Sequence, residues 1–199
     1  MRKLWVVFLF ASTLFGGPVV GSSGNVLPKG KFMTEYHLSL SQDIAGKLEL
    51  YYGYHSRATA KIKIEHMVYD TSFTPEISKL TIDTKINILT MPKFSVFIGT
   101  SLKEFAPYGG FLLSFVPTRL GIHLSAYGTT EDPFSGAKAS LEYKFLPKIN
   151  LLLEGVYKSK NKTFNPWLSC QISLPITLEI AGLLDKNNPE AFIGGYVIW

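Results

Sequence analysis

The sequence contains little cysteine and no long apolar run outside its first residues. Cys170 is the only cysteine among the 199 residues, so an internal disulfide cannot stabilise the fold. Beyond residue 23 no stretch of about 18 apolar residues occurs, which excludes a transmembrane helix in that part of the chain. The net charge is only +5, without the concentrated basic face of a nucleic-acid-binding protein, so we expect no nucleic-acid partner.

Recognisable catalytic and ligand-binding motifs are also missing. The sequence has no glycine-rich phosphate loop, no zinc-protease motif and no nucleophile elbow. The four histidines, His37, His55, His66 and His123, show no metal-ligand spacing and no accompanying cluster of carboxylates. We therefore predict no cofactor, no metal site and no enzymatic activity.

The first residues have the order of a secretory signal peptide. Arg2 and Lys3 precede an apolar run at 4–15, and small residues follow up to Ser23. The apolar run is shorter than the roughly 20 residues that span a bilayer. We predict a signal peptide over residues 1–23, cleaved between Gly21 and Gly24, and a single exported domain over residues 24–199.

After the signal, the sequence alternates with period two, which is typical of β-strands. In residues 79–88, apolar side chains such as Leu80 and Ile82 alternate with charged ones such as Lys79 and Asp83. The pattern predicts about twelve strands of about 9–12 residues, the length that a tilted strand needs to cross a bilayer. Their approximate bounds are 31–41, 46–54, 58–69, 77–90, 94–101, 108–116, 119–128, 136–146, 148–157, 166–174, 176–184 and 190–199.

Short and long connections between these strands alternate along the chain. Proline cannot donate a hydrogen bond to a sheet and marks strand ends. It occurs in four tight links, at Pro92, Pro117, Pro147 and Pro175. Successive tight links are separated by two strands, whereas the other links, such as the polar one from Lys158 to Pro166, are longer. This regularity predicts antiparallel hairpins with periplasmic tight turns and longer outer loops.

Together these patterns predict an all-β fold, a closed up-and-down antiparallel transmembrane β-barrel. In hydrocarbon only helices and closed sheets satisfy every backbone polar group, and closure removes the exposed edges of a sheet. The apolar faces would contact lipid, and the polar faces would line the interior. The aromatic residues expected at the two headgroup belts are Tyr36, Tyr52, Tyr54, Phe94, Phe145, Tyr157, Trp167 and Trp199.

The C-terminal residues alternate from Ala191 to Ile198 and finish at Trp199. This arrangement resembles the C-terminal signature of bacterial outer-membrane β-barrels, whose terminal aromatic residue is read by the barrel assembly machinery. The resemblance implies a location in the bacterial outer membrane, with outer-membrane lipids and the assembly machinery as partners. A weaker likeness covers 151–199, where Leu-Leu-Leu-Glu-Gly-Val-Tyr and Gly-Leu-Leu-Asp are similar to pieces of barrels associated with exopolysaccharide production.

The charged residues of the polar faces are the candidate functional residues. Those predicted to line the lumen are Lys47, Glu49, Lys61, Lys63, Glu65, Lys79, Asp83, Lys85, Lys138, Glu142, Lys144, Glu154 and Glu179. The two signs nearly balance, which argues against strong selectivity for either anions or cations. We therefore expect a small channel, or a passive transport or structural barrel of the cell envelope.

Three alternative functions stay open. The likeness over 151–199 favours a barrel associated with export of a surface polysaccharide. The spacing of His123 and Ser125 resembles the His-x-Ser motif of outer-membrane phospholipases and lipid A deacylases, which implies a lipid-acting hydrolase. Against that, the alternation places both side chains inside the barrel, and no carboxylate or amide stands near Ala137, where the partner is expected. A soluble periplasmic lipid-binding β-barrel is the third alternative.

Overall fold

The computed structural model describes residues 26–40, 44–69, 74–174, 176–184 and 190–199. Its twelve strands are β1 (Phe32–Leu40), β2 (Ile44–His55), β3 (Ala58–Tyr69), β4 (Thr74–Thr90), β5 (Lys93–Ser101), β6 (Ala106–Phe115), β7 (Leu120–Thr129), β8 (Gly136–Leu146), β9 (Ile149–Lys158), β10 (Thr163–Ser173), β11 (Thr177–Leu183) and β12 (Ala191–Ile198). Across these ranges no helix is long and apolar enough to cross a membrane. The predicted signal peptide, residues 1–23, lies outside the described residues and stays a prediction.

The twelve strands form one closed antiparallel barrel in which each strand pairs with its neighbours in sequence. The ring is closed between β1 and β12, with a register that runs from Met33 opposite Ile198 to Ser39 opposite Phe192. At the end of this seam, the N–H of Trp199 donates to the carbonyl oxygen of Phe32 at 3.0 Å. The predicted up-and-down closed barrel is therefore confirmed.

The connections alternate in length as the proline pattern predicts. The end of the barrel at which β1 begins and β12 ends has the links 56–57, 91–92, 116–119, 147–148 and 174–176. The opposite end carries links that are longer on average, and the longest are 130–135 and 184–190. Pro92, Pro117 and Pro147 all fall in the tight links, and Pro175 lies outside the described residues. Proline thus ends strands where the chain must reverse most sharply.

β10 begins at Thr163, earlier than predicted, so Pro166, the predicted first residue of this strand, lies inside it. Residues 163–165 continue the pairing with β9, and Pro166 itself lies opposite Gly155. The carbonyl oxygen of Pro166 accepts the N–H of Leu184 at 2.8 Å. A backbone N–H at position 166 would have pointed toward the same side, where Leu184 follows β11. Since β11 ends at Leu183, the proline removes one hydrogen bond at a strand end only.

Side chains alternate between an apolar outer surface and a polar interior. Along β7, Leu120, Ile122 and Leu124 are exposed, whereas His123 and Ser125 are buried. Large exposed apolar side chains recur around the ring, and Ile180 on β11 is 61% exposed. A soluble protein rarely exposes so continuous an apolar surface. The arrangement of one sheet wrapped around a polar interior excludes a two-sheet sandwich.

The prediction for Trp167 is wrong, because this residue does not lie at a headgroup belt. Trp167 is buried inside the barrel and packs against Phe192, with ring centroids 4.9 Å apart. It shares its strand face with Ser169 and Gln171, which also point inward. The prediction rested on its place near a strand end. Whether its side chain points inward or outward is decided by the alternation along β10, which puts it inside the barrel.

Replacing Ile180 with lysine tests which solvent surrounds the barrel. We expect Ile180→Lys to lower the free energy of unfolding by about 2–4 kcal/mol, the cost of lysine near the middle of the lipid-facing surface. Urea unfolding in lipid vesicles measures the change, with Thr130→Lys in the exposed 130–135 link as the control. An equal effect of the two substitutions would contradict a lipid-facing exterior, since an exposed isoleucine in water tolerates replacement by lysine.

Candidate functional site

The interior of the barrel holds most of the charged residues that the sequence predicted to line it. Four of the predicted lining residues are buried carboxylates, Glu49, Asp83, Glu154 and Glu179. Seven further residues are half-buried on inward faces: Lys47, Lys61, Lys63, Glu65, Lys85, Lys138 and Glu142. The remaining two, Lys79 and Lys144, are exposed. Both lie beside register shifts near strand ends, where the regular alternation between inside and outside is interrupted.

A network of ion pairs joins the inner faces of β2, β3 and β4. Glu49 lies 3.3 Å from Lys47 and 3.7 Å from Lys61, measured between carboxylate oxygen and Nζ. Lys61 also contacts Asp83 at 3.0 Å, so it bridges two carboxylates on neighbouring strands. The hydroxyl of Tyr51 donates to Glu49 at 3.0 Å. Each charge in this network therefore has a partner, which offsets the cost of removing it from water.

The same network continues onto β5 and β6 through a glycine. The hydroxyl of Tyr108 donates to Asp83 at 2.9 Å, although Gly99 lies between the two strands that carry them. A β-carbon at Gly99 would overlap the side chain of Asp83 and the carbonyl oxygen of Ile82. The absence of a side chain at Gly99 is thus what allows the tyrosine to reach the carboxylate.

Sequence reasoning missed Glu35 and His37, which join this network from β1. His37 Nε2 lies 2.5 Å from Glu35 Oε1, and both side chains are buried. One ligand atom from each of Glu35, His37 and Glu49 fits within a 4.8 Å cluster. Glu49 already contacts Lys47 and Lys61, so a divalent cation would meet two ammonium groups. We therefore assign the cluster to the ion-pair network; the Glu-x-His spacing, with both residues on one strand face, was the available signal.

The surroundings of His123 differ from the sequence prediction. Its Nδ1 lies 2.9 Å from Ser114 Oγ, and its Nε2 lies 3.1 Å from Glu142 Oε2. The carboxylate in contact with His123 is thus Glu142, which does not lie at the expected position near Ala137, and the serine in contact is Ser114 instead of Ser125. Glu142 lies on β8 opposite Gly121 and reaches the ring of His123 diagonally on β7. A β-carbon at Gly121 would lie 3.2 Å from both Glu142 Oε2 and His123 Nε2.

This Ser–His–Glu arrangement faces the lumen and not the lipid. Ser114 and His123 are both buried, on the inner face of strands whose outer face carries Phe115 and Ile122. An acyl chain in the bilayer is separated from the three side chains by the barrel wall. Their hydrogen bonds satisfy one another, as buried polar groups require.

The wall formed by β9, β10 and β11 holds its carboxylates differently. Glu154 accepts a hydrogen bond from the hydroxyl of Ser169 at 3.1 Å. Glu179, which is 0% exposed, accepts one from Gln171 Nε2 at 3.1 Å. Sequence reasoning did not name Ser169 or Gln171, although their period-two spacing placed them on the polar face. These carboxylates therefore have neutral hydrogen-bond donors where those of β2–β4 have lysines.

The segment 26–31 folds into the mouth of the barrel at the end that carries the tight turns. The buried N–H of Leu27 donates to the Oγ1 of Thr59, an inward residue of β3, at 2.8 Å. The N–H of Gly30 donates to the carbonyl oxygen of Gly53 at 2.7 Å, and the N–H of Gly53 donates to the carbonyl oxygen of Lys31 at 2.9 Å. This segment covers part of the lumen next to β2 and β3.

Solved structures of bacterial outer-membrane barrels share this fold. The KdgM porin superposes with a TM-score of 0.61 at 12% identity, over 83% of this chain and 98% of that one. The COG4313 outer membrane channel from Pseudomonas putida F1 gives 0.59 at 11% identity, over 92% and 100%. Omp33 of Acinetobacter baumannii gives 0.56 at 10% identity, over 85% and 97%.

The chain therefore has the fold of the bacterial outer-membrane β-barrels, and the predicted general class is confirmed. At such identities the likeness concerns the fold. No protein-family profile and no curated protein matches the sequence. The likeness of 151–199 to exopolysaccharide-associated barrels stays a prediction.

Glu49 is the residue on which the β1–β4 network depends most, and its replacement tests that network. We expect Glu49→Gln to lower the free energy of unfolding by about 3–5 kcal/mol, because Lys47 and Lys61 lose their shared partner inside the barrel. Glu65→Gln is the matched control. Glu65 is more exposed and contacts Lys63 alone, so its loss costs about 0–1 kcal/mol. Urea unfolding in vesicles compares them, and equal stabilities would show that the buried network is unimportant.

Proposed function

We propose that the protein is a small channel of the bacterial outer membrane that passes water-soluble solutes. The observation that carries the proposal is the sorting of side chains by the closed barrel, with an apolar exterior around a charged interior. A water-lined path suits hydrophilic solutes, because charged and hydroxyl groups replace part of a solute's hydration. The likeness to porin and channel structures supports the proposal at the level of fold.

The lipid-binding alternative fits the side chains poorly. A soluble carrier of a lipid needs an apolar cavity inside and a polar surface outside. This barrel has the reverse arrangement, with Glu154 and Glu179 buried inside and Ile180 exposed outside. The lipid-hydrolase alternative fails for a related reason, since the Ser114–His123–Glu142 group lies behind the wall. We therefore propose a barrel without catalytic activity.

The location and partners follow from the same arrangement. In this proposal the exterior contacts outer-membrane lipids, and the links 56–57, 91–92, 116–119 and 147–148 face the periplasm. The exposed ring of Trp199 stands at the end of the closing seam. We propose that β12 with Trp199 is recognised by the barrel assembly machinery after export.

Planar bilayer recording tests the channel directly. Purified, refolded protein is expected to produce discrete conductance steps in potassium chloride, because ions can follow the charged interior. The same amount of protein denatured before addition is the control. Silence of the folded protein across several salts and voltages would contradict the proposal.

Gly53→Val is predicted to increase the single-channel conductance. A β-carbon at Gly53 would overlap the carbonyl oxygens of Leu27 and Pro28, so the side chain should displace segment 26–31 from the mouth. Gly182→Val is the control, because a β-carbon at Gly182 meets nothing within 4 Å and valine suits a strand. Equal conductance of both variants and the native protein would show that the segment does not restrict the path.

A further inference from the structure

The lysine side chains of the ion-pair network are more exposed than most of its carboxylate side chains. The side chains of Lys47, Lys61 and Lys63 are 25%, 24% and 25% exposed. Their carboxylate partners Glu49 and Asp83 are 7% and 5% exposed. Glu65, at the outer end of the network, is the exception at 35%. A solute in the lumen therefore meets these lysine side chains more readily than the side chains of Glu49 and Asp83.

The opposite wall adds a further lysine. β8 is six strands from β2 in the ring of twelve, so Lys138 projects from the side of the barrel that faces the network. Lys47, Lys63 and Lys61 are among the groups that act on it electrostatically, together with the carboxylate of Glu49. Among the carboxylates in the described ranges, none is in salt-bridge contact with Lys138. Lysines from two opposite walls of the barrel therefore face one another across the lumen.

The remaining carboxylates are poorly placed to offset this charge at the solute path. Glu154 and Glu179 are buried in the wall and hydrogen-bonded to Ser169 and Gln171. Glu35 is buried against His37, and Glu142 contacts His123 near the tight-turn end of the barrel. The near balance of the two signs among the predicted lining residues therefore does not mean equal access to a solute.

We propose that Lys47, Lys63 and Lys138 form an anion-binding constriction that makes the lumen selective for small anions. An ammonium group in a narrow lumen is costly without a partner, and a passing anion supplies one. Rings of lysine or arginine are the general device for anion selectivity in pores. Chloride and short carboxylates are the ligand class. The inference rests on the proposed channel function and revises the expectation of weak selectivity drawn from the balance of signs.

The reversal potential in a potassium chloride gradient measures this selectivity. The native channel should prefer chloride, and Lys138→Gln should lower the chloride-to-potassium permeability ratio at least about twofold, the effect of one unit charge several ångströms from the ion path. Lys138→Arg should retain the preference, and Lys138→Glu should reverse it. Since only channels that insert and conduct are scored, a variant that fails to fold does not enter the comparison.

Lys144→Gln is the matched control, because it removes the same charge from the same strand at an exposed position. It should leave the permeability ratio nearly unchanged. An equal effect of Lys144→Gln and Lys138→Gln would overturn the constriction, as would a native channel without chloride preference. Absence of any conductance in the native protein would instead contradict the channel function itself, so the two failures are distinguishable.

Discussion

The structure depends on the hydrogen bonds that join β1 to β12. Without that seam, two strand edges would expose unpaired N–H and C=O groups, which hydrocarbon cannot satisfy. The register from Met33 opposite Ile198 to Ser39 opposite Phe192 closes the ring, and closure fixes which side of every strand is inside. The apolar exterior and the charged interior are therefore consequences of one backbone constraint, and not of separate packing preferences.

Once it is fixed which side chains of each strand point inward, many polar groups must find hydrogen-bond or charge partners in a small space. The lumen does this with shared partners. Lys61 contacts both Glu49 and Asp83, and His123 contacts both Ser114 and Glu142. Glycines on the inner face make these contacts possible, since Gly99 admits Tyr108 and Gly121 leaves space beside Glu142. The polar contacts inside the barrel therefore depend on the glycines beside them as well as on the side chains that form them.

Period-two alternation and the proline links were enough to predict the strand number and most of the inward-facing residues, because these are local properties of the chain. Closure followed from the need to pair every strand edge in hydrocarbon. Lys79 on β4 and Lys144 on β8 are exceptions, since register shifts beside them interrupt the alternation. Contacts between distant strands were beyond that reasoning. The neighbourhood of Lys138 joins opposite walls, and Glu142 meets His123 diagonally. Trp167 and Pro166 were misplaced for a further reason: strand ends were inferred from composition, while the pairing of β10 with β9 decides them.

The strands of the ring differ greatly in length, since β4 has 17 residues and β11 has 7. At about 3.3 Å per residue, the two walls differ by roughly 30 Å along the strand direction. The barrel therefore does not finish at one height around its circumference. A solute that approaches from bulk water therefore meets a sloping rim, because β4 extends further along the barrel than β11 does.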